Sequence, residues 1–244
     1  MCIEERYEEI LETFDSYAKP LVFTPGDNEW TDCTRHAYGD WDSASRLDVL
    51  RKVYYKEAKS LGVETMPLVR QADISPYAKF VENSRWVHQN VLFFTLNITG
   101  SNNNLQIDRE ENLTEAFERN RANKAWLRDS FRIAMEHDIA AVVIATHAEM
   151  FANSDGSRVP PAFADIVNEM RVATTRFGKP ILLVHGDAHR FVIDRPLSQF
   201  GAGRLLNGNF VRLQVYGDPE VRAVRVTVDT DTPWVFGFEP LYLE

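Results

Sequence analysis

Apolar positions along the chain switch between two spacings. From Glu5 to Tyr17, residues Tyr7, Ile10, Leu11 and Phe14 recur every three or four positions, which predicts an amphipathic helix ending before Lys19-Pro20. From Ser43 to Lys59, Leu47, Leu50, Val53 and Tyr54 repeat that spacing, with Lys59-Ser-Leu-Gly62 as a stop signal. Glu110 to His137 predicts one long helix whose apolar stripe, including Ala116, Phe117, Trp126 and Phe131, faces the core, and Pro161 to Phe177 predicts another. Between these helices lie short β-prone runs. They are Pro20 to Phe23, a hairpin and central strand from Arg85 to Ile98, Ala140 to Thr146, and Ile181 to Val184. Residues 64–76 read as irregular. Beyond His189 the texture becomes strands alone, at 191–193, 210–216, 221–228 and 234–238, with Gly217-Asp-Pro-Glu220 as a turn.

Helices alternating with strands, followed by a β-rich tail, predict an α/β fold layered as a sandwich, with helices outside and sheets face to face inside. No linker or shift in composition divides residues 1–244, so a single domain is expected.

Three of the β-prone runs break abruptly into polar residues. Pro20-Leu-Val-Phe-Thr-Pro-Gly26 leads into Asp27-Asn28-Glu29, the run from Ala140 ends at His147, and Ile181-Leu-Leu-Val-His185 ends in Gly186-Asp187-Ala188-His189. The carboxyl ends of strands are where open α/β sheets keep their chemistry. Asp27, His147, Asp187 and His189 supply the nitrogen and oxygen donors that suit Zn, Mn, Fe or Mg at roughly 2.0 to 2.2 Å. Two further groups offer substrate contacts. Arg35 has the fork geometry to clamp a phosphate, and the amides of Asn102 and Asn103 follow Gly100 in a turn-forming run. His185, just inside its strand, reads equally as a core residue or as a support for a neighbouring ligand. His36, His88 and His137 read as surface residues.

Charge and length narrow the classes. The formal net charge of -9 argues against broad attraction to nucleic acid or anionic lipid, so a small anionic substrate needs a local cation, which a metal ion supplies. No apolar run reaches the ~20 residues of a membrane span. The acidic amphipathic start does not resemble a signal peptide, so the chain as given reads as cytoplasmic. Cys2 and Cys33 are the two cysteines. They read as free thiols or as one disulfide. Neither a Gly-x-x-x-x-Gly-Lys phosphate loop nor a Gly-x-Ser-x-Gly nucleophile elbow is present.

The order Gly26-Asp-Asn-Glu29, a lone strand-end His147, then Gly186-Asp-x-His189 resembles the last three motif blocks of the calcineurin-like metallophosphoesterase superfamily. Thr24-Pro-Gly-Asp-Asn-Glu-Trp-Thr-Asp-Cys33, Gly100-Ser-Asn-Asn103 and Val184-His-Gly-Asp-x-His189 resemble one largely uncharacterised bacterial branch of it. The resemblance implies an α/β/β/α sandwich lacking its first strand-helix-strand unit. It also implies hydrolysis of small phosphate mono- or diesters by a hydroxide on one or two divalent ions. Asp27, His147, Asp187 and His189 take the ligand places. Asn28 stands where the family has the histidine that protonates the leaving group, and by residue type either Asp27 or Asn28 suits the ligand place. The family's two earlier blocks, which supply a bridging carboxylate, have no counterpart upstream of Gly26. A non-catalytic module with the same crevice is therefore the alternative expectation. Cys2 and Cys33 stand where that branch pairs two cysteines, which implies an oxidising compartment and an exported or periplasmic protein.

Overall fold

A computed structural model describes residues 2–74, 76–107, 109–152, 156, 158–201 and 204–242. The chain forms two compact units, one made of Met1–Trp86 with Thr95–Trp126 and the other of Val87–Phe94 with Leu127–Glu244. Among the described residues, the strands β1 (Val69–Arg70), β2 (Ser84–His88), β3 (Val91–Thr95), β4 (Ala141–Ala145), β5 (Ile181–His185), β6 (Val192–Asp194) and β9 (Phe210–Gln214) make a seven-stranded mixed sheet. Its order is β1-β2-β3-β4-β5-β9-β6. The molecule is thus mixed α/β, as the alternating pattern predicts.

The first unit is built on two helices. Helix α1 (Glu4–Asp15) carries Glu4 and Glu5 in its first turn, where carboxylates complement the helix dipole. Helix α2 (Ser43–Tyr54) starts at Asp42, whose carboxylate accepts the Ser45 N–H at 2.7 Å. The faces read from the sequence meet in one cluster, with Tyr7 of α1 against Leu47, Leu50, Val53 and Tyr54 of α2, and Trp30 fully buried among them. Helix α2 stops five residues before the expected Lys59. Leu61 instead forms an antiparallel bridge with Leu21, and the Tyr55 hydroxyl donates to the Phe23 carbonyl at 3.1 Å. The same contacts correct the expected strand at Pro20 to Phe23, which is reduced to that single bridge. Its aromatic residue is drawn into a ring cluster with Phe14 and Tyr54 rather than into a sheet. Of the two readings of the cysteines, the structure forms the Cys2–Cys33 disulfide.

After β3 comes a short left-handed turn, α3 (Gly100–Asn103), and then the long helix α4 (Glu110–Glu136). Ser101, Asn102, Asn103 and Asn104 all have positive φ, between 49° and 59°. This twist costs an ordinary L-residue roughly 1–2 kcal/mol and asparagine least. Arg119 of α4 holds the segment in place from a fully buried position. Its five N–H groups are all used: Nε and Nη2 on the Glu115 carboxylate, Nη1 on Asn97 O and Asn103 Oδ1, and Nη2 also on Asn103 O. Its guanidinium lies 4.9 Å from the Trp30 ring centre. On α4, Ala116, Trp126, Leu127 and Phe131 are buried as expected. Phe117 is not. It is 64% exposed, because it falls one position past the buried stripe that Ala116 occupies.

In the second unit, β4, β5 and β9 run parallel and β6 closes antiparallel on β9. Helix α5 (Ala164–Phe177) connects β4 to β5 and ends at Gly178, in the left-handed conformation that a helix C-terminus favours. One face of this sheet meets α4 through an edge-to-face contact of Phe94 with Phe131 at 6.0 Å, and Phe131 in turn meets Phe177 of α5 at 5.6 Å. The other face is covered by the hairpin of β10 (Arg222–Val228) and β11 (Phe236–Tyr242), whose Val224, Val226, Phe236 and Phe238 pack against Val143, Leu182, Val211 and Leu213. The second sheet of the expected sandwich is therefore a two-stranded ribbon among the described residues. A further small pair, β7 (Gln199–Gly201) and β8 (Arg204–Leu206), was not legible in the sequence.

Candidate metal centre

The register of two parallel strands creates the strongest donor pair in the second unit. Ala145 of β4 sits opposite Val184 of β5, and the ladder continues past both strands with Thr146 N–H to Val184 O and Gly186 N–H to His147 O, each at 3.0 Å. This brings His147 and Asp187 side by side at the carboxyl edge, with ligand atoms within 4.8 Å of one another. Asp187 reaches that position with φ 77°, a conformation that aspartate tolerates better than most residues. Its Oδ2 accepts the Glu149 backbone N–H at 2.9 Å. One carboxylate oxygen is thus anchored, and the group's aim is set by the backbone rather than by a mobile side chain.

His189 also has positive φ, 54°, and its ring turns toward Gly217 and Asp218. Nδ1 donates to the Asp218 carbonyl at 2.9 Å, which leaves Nε2 with the lone pair. A carbonyl on one ring nitrogen is the arrangement that orients ligating histidines.

Beneath this edge lies a buried polar layer that the sequence did not announce. His185 is 1% exposed, and its Nδ1 donates to the Gly186 carbonyl at 3.1 Å. Burial, reinforced by the positive charge of Arg212, pushes the His185 pKa down to about 3, so the ring is neutral at physiological pH. Its Nε2 and both amide atoms of Gln214, the residue paired with it across β5 and β9, are buried without a hydrogen-bond partner among the described residues. Arg212 forms a two-pronged pair with Asp194 and lies 3.8 Å from Glu149, which also pairs with Arg190 at 2.7 Å. Glu149 follows His147 by two positions, and that spacing is the signal a reader could have used. Arg212 and Gln214, by contrast, look like alternate outward residues of an ordinary strand.

The remaining candidates lie in the first unit. Asp27 is half-buried in a tight turn. Its carbonyl accepts Trp30 N–H at 3.1 Å and Asp32 N–H at 3.0 Å, while Gly26 N–H donates to the Glu29 carboxylate at 2.8 Å. Asn28 is exposed at the tip. The turn is pinned on both sides, by Trp30 in the core and by the Cys2–Cys33 bridge. Arg35 is engaged by the buried Asp32 at 2.8 Å and by Ser101 Oγ at 3.1 Å. Asp32 holds both Arg35 and the Ser101 hydroxyl, a role the sequence reading missed. Asn103 is buried, with its Oδ1 taken by Arg119 at 2.6 Å. Asn102 is exposed and donates to the Leu105 carbonyl at 2.9 Å. His36, His88 and His137 are on the surface, as expected. In His36 the Asp40 carboxylate at 2.7 Å raises the imidazole pKa.

An imidazole and an anchored carboxylate a few ångströms apart match the donor set of Zn, Mn or Fe, so the residues present fit a divalent ion. No protein family model matches the chain, and no curated protein resembles it significantly.

Proposed function

We propose that the chain is a metal-dependent phosphoesterase of the calcineurin-like type, with His147 and Asp187 as the core of its metal site. The observation that carries this reading is the pairing of an imidazole with a backbone-anchored carboxylate at the ends of two parallel strands. His189, with Nε2 left as its lone-pair nitrogen, and Asp27, in its disulfide-pinned turn, remain as further ligands on the strength of the motif pattern.

A bound dication would activate water and neutralise charge on the phosphoryl oxygens. The chain's own contribution is orientation. Glu149 N–H fixes Asp187, the Asp218 carbonyl fixes the tautomer of His189, and neutral His185 adds no second positive charge beside the buried Arg212. Asn28 has no proton to give near neutral pH and acts, in this reading, by hydrogen bonding to substrate or water.

The test is hydrolysis of bis-p-nitrophenyl phosphate with added Mn, read beside Mn binding by calorimetry. His147→Ala and Asp187→Asn should each lower both by tenfold or more, and Asp27→Ala tests the third ligand. Turnover unchanged in the His147 and Asp187 variants would refute the proposal. A second reading, a non-catalytic binding module, draws on the commitment of Asn103 and Arg35 to Arg119, Asp32 and Ser101, which leaves fewer groups for substrate. It predicts Mn binding that depends on His147 and Asp187 without any turnover.

A further inference from the structure

The second unit holds another cavity, at the edge of the sheet opposite to His147 and Asp187. Pro180 immediately precedes β5 and Gly208 and Asn209 precede β9, so this cavity opens at the amino ends of those strands. The five residues of β5 separate the two edges by about 17 Å. Its volume is about 540 Å³, within the range of small-molecule sites. Its walls are flat and apolar: the Trp234, Phe236 and Phe238 rings, Val211 and Pro180. Trp234 is 76% exposed, an unusual position for so large an apolar surface.

Two charged residues line it. Asp194 is occupied, since Arg212 grips both its oxygens. Arg195 has no carboxylate in ion-pair range among the described residues, and its guanidinium lies 5.7 Å from the Trp234 ring centre. Asn209 spends its amide N–H groups on the Lys179 and Thr174 carbonyls, at 2.8 and 3.3 Å. What remains for a ligand is therefore one cation beside a flat aromatic wall. An uncharged apolar guest would waste the guanidinium, and a cationic one would be repelled by it. An aromatic ring bearing a single anionic group uses both surfaces, by stacking on Trp234 and by charge-assisted hydrogen bonds to Arg195.

We infer that this cavity is a second ligand site, specific for a small planar aromatic anion such as an aromatic carboxylate or sulfonate. The site is separate from the proposed metal centre and does not depend on it.

Two fluorescent probes of the same shape test it on the full chain: 8-anilinonaphthalene-1-sulfonate, which carries the anion, and N-phenyl-1-naphthylamine, which lacks it. Saturable binding of the sulfonate at one per chain is expected. Arg195→Met should weaken the sulfonate by about tenfold, the scale of one charged hydrogen bond, and leave the neutral probe unchanged. Trp234→Ala should weaken both, and Trp234→Phe should keep most of the affinity. Trp234 is exposed and Arg195 half-buried, and unchanged thermal midpoints of the variants show that the fold is intact. Equal affinity for the two probes in the native protein, or sulfonate binding that survives Trp234→Ala, would overturn the inference. Loss of the metal-dependent turnover, by contrast, would leave it standing.

Discussion

Removing the Cys2–Cys33 bridge should destabilise the first unit by a predictable amount. The bridge joins residues 31 apart in sequence, enclosing α1 and the Gly26–Trp30 turn. In the chain-entropy account, closing a loop of that length removes about 12 cal/mol/K from the unfolded ensemble, or about 3.7 kcal/mol at 25 °C. Both cysteines are buried, at 2% and 0% exposure, so alanine is the cleanest replacement because it adds no buried hydroxyl. Urea unfolding followed by circular dichroism, on Cys2→Ala, Cys33→Ala and the double variant, gives three free energies. A cross-link is broken as completely by losing one partner as by losing both. Each single variant should therefore lose about 3–4 kcal/mol, and the double variant little more, a strongly non-additive cycle. Native protein unfolded in dithiothreitol should match the double variant. A loss below about 1 kcal/mol, or two single losses that sum to the double, would refute the entropic reasoning.

Arg119→Met should cost about 3–5 kcal/mol in the same assay, because it takes a buried cation away from Glu115 and breaks five hydrogen bonds to Glu115, Asn97 and Asn103 at once. Arg119→Lys should recover little of that, since an ammonium cannot reproduce five N–H bonds in a plane, and recovery to within about 1 kcal/mol would contradict the network. Glu82 is fully buried. Burial alone would raise its pKa, yet Arg51 at 2.7 Å and Asn97 at 3.0 Å outweigh this and hold the carboxyl below its ordinary value of 4.5. The unfolded chain therefore takes up the proton first. The stability from this group is complete above about pH 4.5 and is lost as pH falls through the lower folded value, so Glu82→Gln should flatten the acid limb of a stability-pH curve. Phe117→Ala should change stability by less than about 0.5 kcal/mol, whereas Phe131→Ala should cost about 3–5 kcal/mol. Thermal melts of the pair check whether exposure, not residue type, decides.

The readable helices share one property: a period sustained long enough to be unambiguous, as in the α1 stripe and the 27 residues of α4. The Ile181–His185 run carries no period and was readable as a strand from its unbroken β-prone residues and the Gly186 break after it. Pro20 to Phe23 failed because four apolar residues carry no period, and what they join is decided by partners far along the chain, here Leu61 and Tyr55. His147 and Asp187 were legible because each follows a buried strand directly. Their distance was not legible, since it depends on the register of β4 against β5. The interior polar groups were the least legible of all. Arg119, Glu82, Asn83 and Asn123 look like surface residues by composition, and only their interior bonds explain why they are inside: Arg119 to Glu115, Glu82 to Arg51, and Asn83 to Gln71 and Asn123, both at 2.8 Å.

The run of mirror-image twist at residues 101–104 inverts a familiar rule of protein engineering. Glycine is normally the residue removed to firm up a chain. At Asn102, whose exposed side chain makes a single local bond, glycine is instead the replacement that relieves the backbone, while valine or isoleucine would force the loop to rewind. A saturation library at this position should therefore rank small, achiral and amide residues first, a tolerance profile opposite to that of the right-handed helix that follows it.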